Sequence, residues 1–190
     1  MAGRLLRYAA ALLGAGLLLA LGLEFTQVLR TAPALAAANE QATRVVIEKE
    51  ARRLTLERDG RVLSSYAVAL GPAPVGTKER EGDGRTPEGI YSVDFRHPRS
   101  RYHLALRISY PDAQAREAAK QMGVSPGSDI MIHGIRNGLG WLGSLHRERD
   151  WTDGCIAVTN AEIREIWSRV PEGTPVEIRP RRSVGGNDGK

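Results

Sequence analysis

Asp59-Gly60 constrains this chain more than any other pair of residues. Both tolerate positive φ, and a two-residue reversal of this kind joins antiparallel strands with matching twist. Residues 53–58 before it alternate apolar and polar side chains, as a strand with one wet face does. Residues 62–70 read as the return strand, and Val45-Val46-Ile47 as a strand ahead of both. The body therefore opens as a β-meander. Further strands are predicted at 90–95, 102–109, 129–133, 154–158 and 175–178. Two helices interrupt them. One spans 111–122, with Asp112 as N-cap, Gly123 as stop and an alanine face expected to lie flat on the sheet. The other follows the capping box Thr159-Asn160-Ala161-Glu162, places Ile163, Ile166 and Trp167 at helical spacing, and ends at Gly173. A chain of 190 residues with this pattern suits one mainly β (α+β) domain with a few short helices.

The ends differ from the body. Residues 1–7 are basic and 8–23 are apolar throughout, until Glu24. That order is an export signal, with Ala34-Leu35-Ala36 as a small-x-small cleavage site. An uncleaved anchor over 8–29 fits equally, with Arg4 and Arg7 holding the N-terminus in the cytoplasm. Residues 1–36 are thus an export signal or membrane anchor with linker, 37–43 a linker, 44–180 the folded domain, and 181–190 a disordered basic tail. The net charge of +5 comes from the ends alone: Arg4, Arg7 and Arg30 against Glu24, and Arg179, Arg181, Arg182 and Lys190 against Asp188. A neutral body without a basic, aromatic-interleaved stripe argues against nucleic-acid binding.

Residues 71–89 form a long loop containing G-x-x-x-x-G-T-K, which resembles a phosphate cradle with its last two residues transposed. Gly82, Gly84 and Pro87 follow, so the helix whose N-terminus would hold a phosphate cannot form. The chemistry points instead to 129–158. The single cysteine, Cys155, follows Gly154 and precedes Ile156-Ala157-Val158; His133 ends the apolar run Ile130-Met131-Ile132. Two short strands would each deliver one reactive group. A thiol and an imidazole are the minimum for cysteine nucleophilic catalysis, and a glycine before the nucleophile lets a carbonyl approach the sulfur. His97, His103 and His146 have no spacing for a metal site.

Ile132-His133-Gly134, then Thr152-Asp153-Gly154-Cys155-Ile156, resembles the signature of the L,D-transpeptidase catalytic domain (YkuD) family. Gly76-Thr77-Lys78, Gly82-Asp83-Gly84 and Thr86-Pro87-Glu88-Gly89 resemble its N-terminal half, and the run from Asp150 to Ile163 resembles its YafK-like branch. The resemblance covers 44–180 and implies a β-sandwich-like fold. It also implies a cysteine enzyme that attacks the bond between stem residue 3 of peptidoglycan and D-alanine, forms a thioester, and passes the acyl group to an amine. With water as acceptor the same site is an L,D-carboxypeptidase or amidase-type hydrolase, releasing stem peptides or a wall-linked lipoprotein. An inactive wall-binding module is the reading from another class. Carried over by position, Cys155 is the nucleophile and His133 the base. The Gly134 carbonyl orients the ring, and the Gly154 and Cys155 N–H groups line an oxyanion hole. Arg136, Trp151, Thr152 and Asp153 are the candidate substrate-binding residues. Carbapenem-type inhibitors are implied as ligands, and no metal or organic cofactor is implied. Many family members carry a histidine where this chain has Asp153 and an arginine where it has Ala157; both positions bear on the acceptor.

Overall fold

The computed structural model describes residues 31–180, and the folded unit begins at Pro33. Asp59 and Gly60 both lie in the left-handed region, with φ of 49° and 78°. They reverse the chain between β2 (Arg53–Arg58) and β3 (Arg61–Ala67), which pair antiparallel. β2 also pairs with β1 (Arg44–Glu48), which runs parallel to β8 (Pro175–Arg179). β4 (Gly89–Ser100) is 12 residues long and serves two neighbours. Its first four residues pair with β8, and from Val93 onward it pairs with β5 (His103–Ile108). β6 (Met131–His133) lies antiparallel to β5, and β7 (Ile156–Ala157) parallel to β6. The result is one eight-stranded sheet in the order β3-β2-β1-β8-β4-β5-β6-β7.

The two edges of that sheet meet. Ala69 and Ala157 exchange two backbone hydrogen bonds of 2.9 Å, so the continuation of β3 pairs with β7. Strand β3 consequently ends at Ala67, short of the predicted 70. Strand β4 runs past the predicted 95; Pro98, which has no N–H to give, falls in the irregular register between His97 and Ser100. The core inside is aliphatic: Val45, Ile47, Leu54, Leu56, Leu104, Leu106, Ile132, Ile156 and Ile163 are fully buried.

Helix α1 (Ala113–Gln121) is capped by Asp112, whose carboxylate accepts from the Ala115 N–H at 2.8 Å, and Gly123 follows with a φ of 67°. It does not lie flat on the sheet. Only Ala119 is buried, because alanines offer too little apolar area to hold a whole face down. Helix α2 (Asn160–Arg169) has the full capping box: the Glu162 N–H donates to Thr159 Oγ1, and the Thr159 N–H to Glu162. It buries Ile163, Ile166 and Trp167. The segment read as a linker is tied to its C-terminal end. The Ala36 N–H donates to Ser168 O (2.7 Å), the Ala42 N–H to Arg169 O (2.8 Å), and Trp167 Nε1 to Pro33 O (3.0 Å). Carbonyls that a helix end leaves unpaired are satisfied there. Residues 1–30 of the export signal or anchor expected over 1–36, and the basic tail expected over 181–190, lie outside the described residues. No helix among the described residues is long and apolar enough to cross a membrane.

The loop 71–89 is fixed by two lysines. Lys49 is fully buried, and its ammonium donates to Gly76 O (2.6 Å), Thr86 O (2.9 Å) and Glu88 Oε1 (2.7 Å). All three protons of the group are therefore used. Lys78 pairs with Asp83 at 2.8 Å, and Asp83 also accepts the backbone N–H groups of Glu79, Arg80 and Arg85. Burial opposes ionisation of Asp83, but these donors outweigh it and hold the carboxyl down to about 2. Lys49→Met leaves two carbonyls and one carboxylate without their donor. We expect a loss of about 3–5 kcal/mol in urea unfolding; a change below about 0.5 kcal/mol would show that Lys49 is not what anchors the loop.

Candidate active site

β6 and β7 pair in parallel with Ile132 beside Ile156 and His133 beside Ala157. Side chains alternate along a strand, so His133 and Cys155 project from the same face of this pair. Both line one cleft of ≈ 440 Å³, with His97, Ser100, Arg101, Tyr102, Asp129 and Met131 among its other walls. Trp151, Thr152 and Asp153 line the same cleft. Arg136 does not; it is exposed and lines a neighbouring depression behind Tyr102 and Trp151, together with Leu139, Leu142 and His146. Trp141 is 76% exposed and lines neither.

The imidazole is held firmly. His133 is buried, and its Nδ1 stands 2.6 Å from Gly134 O. A carbonyl only accepts, so Nδ1 carries the proton and Nε2 keeps its lone pair as a base. Two aromatic rings pack against it, and a third stands behind them. Tyr102 packs against the imidazole at 4.5 Å between centroids, Trp151 meets its edge at 5.8 Å, and His146 stands behind Trp151, accepting its indole N–H at 3.4 Å. Burial pushes the His133 pKa down to about 4, against the pull of the Gly134 carbonyl.

The thiol sits between backbone groups. The Met131 N–H points at Sγ (3.4 Å), and the S–H donates to Asp129 O (3.5 Å). Burial pushes the thiol up to about 11; the Met131 N–H opposes this and the Asp153 carboxylate adds to it. At neutral pH the resting pair is a neutral thiol and a neutral imidazole.

The turn that carries the cysteine is built from Thr152 and Gly154. Buried Thr152 donates its hydroxyl to Cys155 O (2.7 Å) and accepts the Gly154 N–H (3.3 Å). The Cys155 N–H has no acceptor among the described residues, so it is the free donor next to the sulfur. Gly154 has a φ of 116°, and a Cβ there would stand 2.4 Å from Arg85 O. The loop 71–89 therefore backs the nucleophile turn. Gly71 makes a similar close approach, where a Cβ would meet Gly84 O at 2.1 Å. Upstream, Asp150 holds Arg52 (2.7 Å) and the Leu70 N–H (3.0 Å), and the Trp151 and Thr152 N–H groups both donate to Leu70 O.

Sequence reasoning did not single out several of these groups. Asn160 accepts the Ile135 N–H at 2.8 Å, and its side chain fills the space left by the missing Cβ of both Gly134 and Gly140. It clamps the backbone whose carbonyl holds His133. Its presence at the first position of a capped helix was visible, but its reach across to Gly134 was not. Tyr102, Arg101 and His146 carry no local signal at all. Among the described residues no group of three or more His, Cys, Asp or Glu is placed to hold a metal.

This fold and cysteine–histidine cleft define a class. The chain belongs to the L,D-transpeptidase catalytic domain (YkuD) family, whose model matches residues 42–178. It is 33% identical over 132 residues to a protein of Escherichia coli K12 that carries the provisional name L,D-transpeptidase YafK; the match covers 66% of this chain and 46% of YafK. The chain thus spans about half the length of the curated relatives it matches. The fold is shared with the helical cell shape determining protein Pgp2 of Campylobacter jejuni (TM-score 0.54, 24% identity, 75% of this chain and 49% of Pgp2). It is shared also with Bd1075 of Bdellovibrio bacteriovorus (TM-score 0.51, 21% identity, 80% of this chain and 52% of Bd1075).

A thiol raised to about 11 leaves roughly one molecule in ten thousand as thiolate at pH 7. Alkylation of Cys155 by iodoacetamide should therefore climb about tenfold per pH unit up to pH 10. A plateau reached near pH 7 would instead reveal a preformed thiolate. Gly154→Ala should lower stability by about 2 kcal/mol or more, through both the positive φ and the Arg85 contact; thermal unfolding checks it, and an unchanged midpoint would contradict the close approach.

Proposed function

We propose that the protein is a cysteine-dependent L,D-transpeptidase acting on peptidoglycan stem peptides through a thioester. The observation that carries this reading is the imidazole locked at Nδ1 by Gly134 O, sharing one cleft with the lone thiol. Cys155 Sγ attacks the carbonyl of stem residue 3 as its proton passes to His133 Nε2. The Cys155 N–H donates to the oxygen that becomes negative. The tetrahedral adduct collapses, the C–N bond breaks, and the departing amine of D-alanine takes the proton from His133. An acceptor amine then attacks the thioester, gives its proton to His133, and the sulfur leaves and is reprotonated. No step needs a metal or an organic cofactor.

General-base activation fits the two pKa values. His133 stays unprotonated above about pH 4 and can act as base throughout the neutral range, while the thiol is deprotonated only as attack proceeds. Water as acceptor gives the hydrolytic reading, an L,D-carboxypeptidase or an amidase that frees a wall-linked lipoprotein. Asp153 is the observation in its favour, since its exposed carboxylate lines the cleft next to the thiol and can orient a water. The basic-then-apolar order of residues 1–23 supports placement in the periplasm or cell envelope.

Residues 31–190 are to be incubated with a diaminopimelate-containing disaccharide tetrapeptide and the products read by mass spectrometry. Cross-linked dimer with free D-alanine is expected, and tripeptide alone would move the assignment to hydrolysis. Identical products from wild type and Cys155→Ala would sink both. A carbapenem should add its own mass to Cys155; an unmodified intact mass after prolonged exposure contradicts an accessible nucleophile.

A further inference from the structure

The charges lining the cleft are sorted to two sides. Asp129 and Asp153 stand by the sulfur: the Asp129 carbonyl accepts the S–H, and Asp153 lies two residues before Cys155. Arg101 stands by the base. It directly precedes Tyr102, whose ring lies 4.5 Å from the imidazole. Arg101 is exposed, and its guanidinium has no hydrogen-bond or ion-pair partner among the described residues. Of the nearby arginines, Arg107 is held by Asp94 and Asp129 and Arg147 by Glu162, while Arg136, likewise without a guanidinium partner among the described residues, lines the neighbouring depression and not the cleft. Ala157, two residues after the cysteine, is fully buried with both backbone groups bonded to Ala69, and offers no cation.

In the proposed reaction the departing amine must come to His133 Nε2 to collect its proton. The residue that leaves is therefore on the histidine side of the cleft, where Arg101 is, and away from the two aspartates. We propose that Arg101 is a specificity residue that binds the free α-carboxylate of the departing residue. A planar guanidinium fork without an internal partner is suited to that anion. On this reading the enzyme requires an acid terminus on the leaving side, and it acts on chain ends rather than on extended or amidated peptides. The inference rests on the acyl-transfer reading and names the group that selects its substrate.

The test compares a tetrapeptide stem ending in free D-alanine with the same stem ending in D-alanine amide, by release of the departing amine. Wild type should favour the acid by about tenfold or more in kcat/KM, the low end for a charge-assisted pair at a solvent-open site. Arg101→Gln should bring that ratio near one by losing turnover of the acid while keeping turnover of the amide. Arg101→Lys should restore part of the preference. The Arg101 side chain supports no other residue, so the thermal midpoint should not move in either variant. Equal loss on both peptides in Arg101→Gln would overturn the inference, as would a wild type that treats both peptides alike. No release from either peptide by wild type, with Cys155→Ala indistinguishable from it, would be a different result: it would remove the acyl-transfer reading itself.

Discussion

Two hydrogen bonds between Ala69 and Ala157 close the sheet, and the placement of His133 beside Cys155 depends on that closure. β6 and β7 are only three and two residues long. A parallel pair that short has little stability of its own. β5 supports it on one side, through the pairing of Ala105 with His133. Ala69 supports it on the other, and Val158 donates back to His133 O at 2.9 Å. The histidine and the cysteine thus share one rigid patch of backbone, so their relation does not rely on loop conformation. From below, the loop 71–89 presses its Gly84 and Arg85 carbonyls against positions where only glycine fits, and Lys49 holds that loop from inside the core.

The site's electrostatics follow from enclosure. Burial favours neutral forms of both groups, which separates this pair from a preformed thiolate–imidazolium. The backbone then assigns each proton. Gly134 O takes the Nδ1 proton and so leaves Nε2 free, while Asp129 O takes the S–H. The aromatic wall of Tyr102 and Trp151 contributes both the low dielectric and the fixed ring orientation. Main-chain atoms thus set the protons of both groups, and few side chains other than the thiol and the imidazole are needed to define the pair.

What could be read in advance follows from how local each signal is. Asp59-Gly60, the Asp112 cap and the Thr159–Glu162 capping box act within four residues, and each stands where the chain announced it. The helical period of Ile163, Ile166 and Trp167 did the same for the buried face of α2. The YkuD assignment was legible because the motif around Cys155 is contiguous. Strand ends were less so, since β3 stops where Ala69 leaves for a partner far along the chain. The flat docking of α1 was overestimated because alanine gives periodicity without area. Lys49 and Arg101 were invisible for one reason in two forms: a buried lysine and an unpaired arginine are defined by partners, present or missing, that only the folded chain brings near.

The half-buried, protonated sulfur has a consequence that lies outside turnover. Peroxides and disulfides react with thiolates, and the rate follows the ionised fraction. This chain has one cysteine and hence no resolving thiol to rescue a sulfenic acid. By keeping the proton on sulfur, the cleft makes this thiol slow to oxidise. The shelter that lowers resting reactivity also slows the thiol's loss to oxidants.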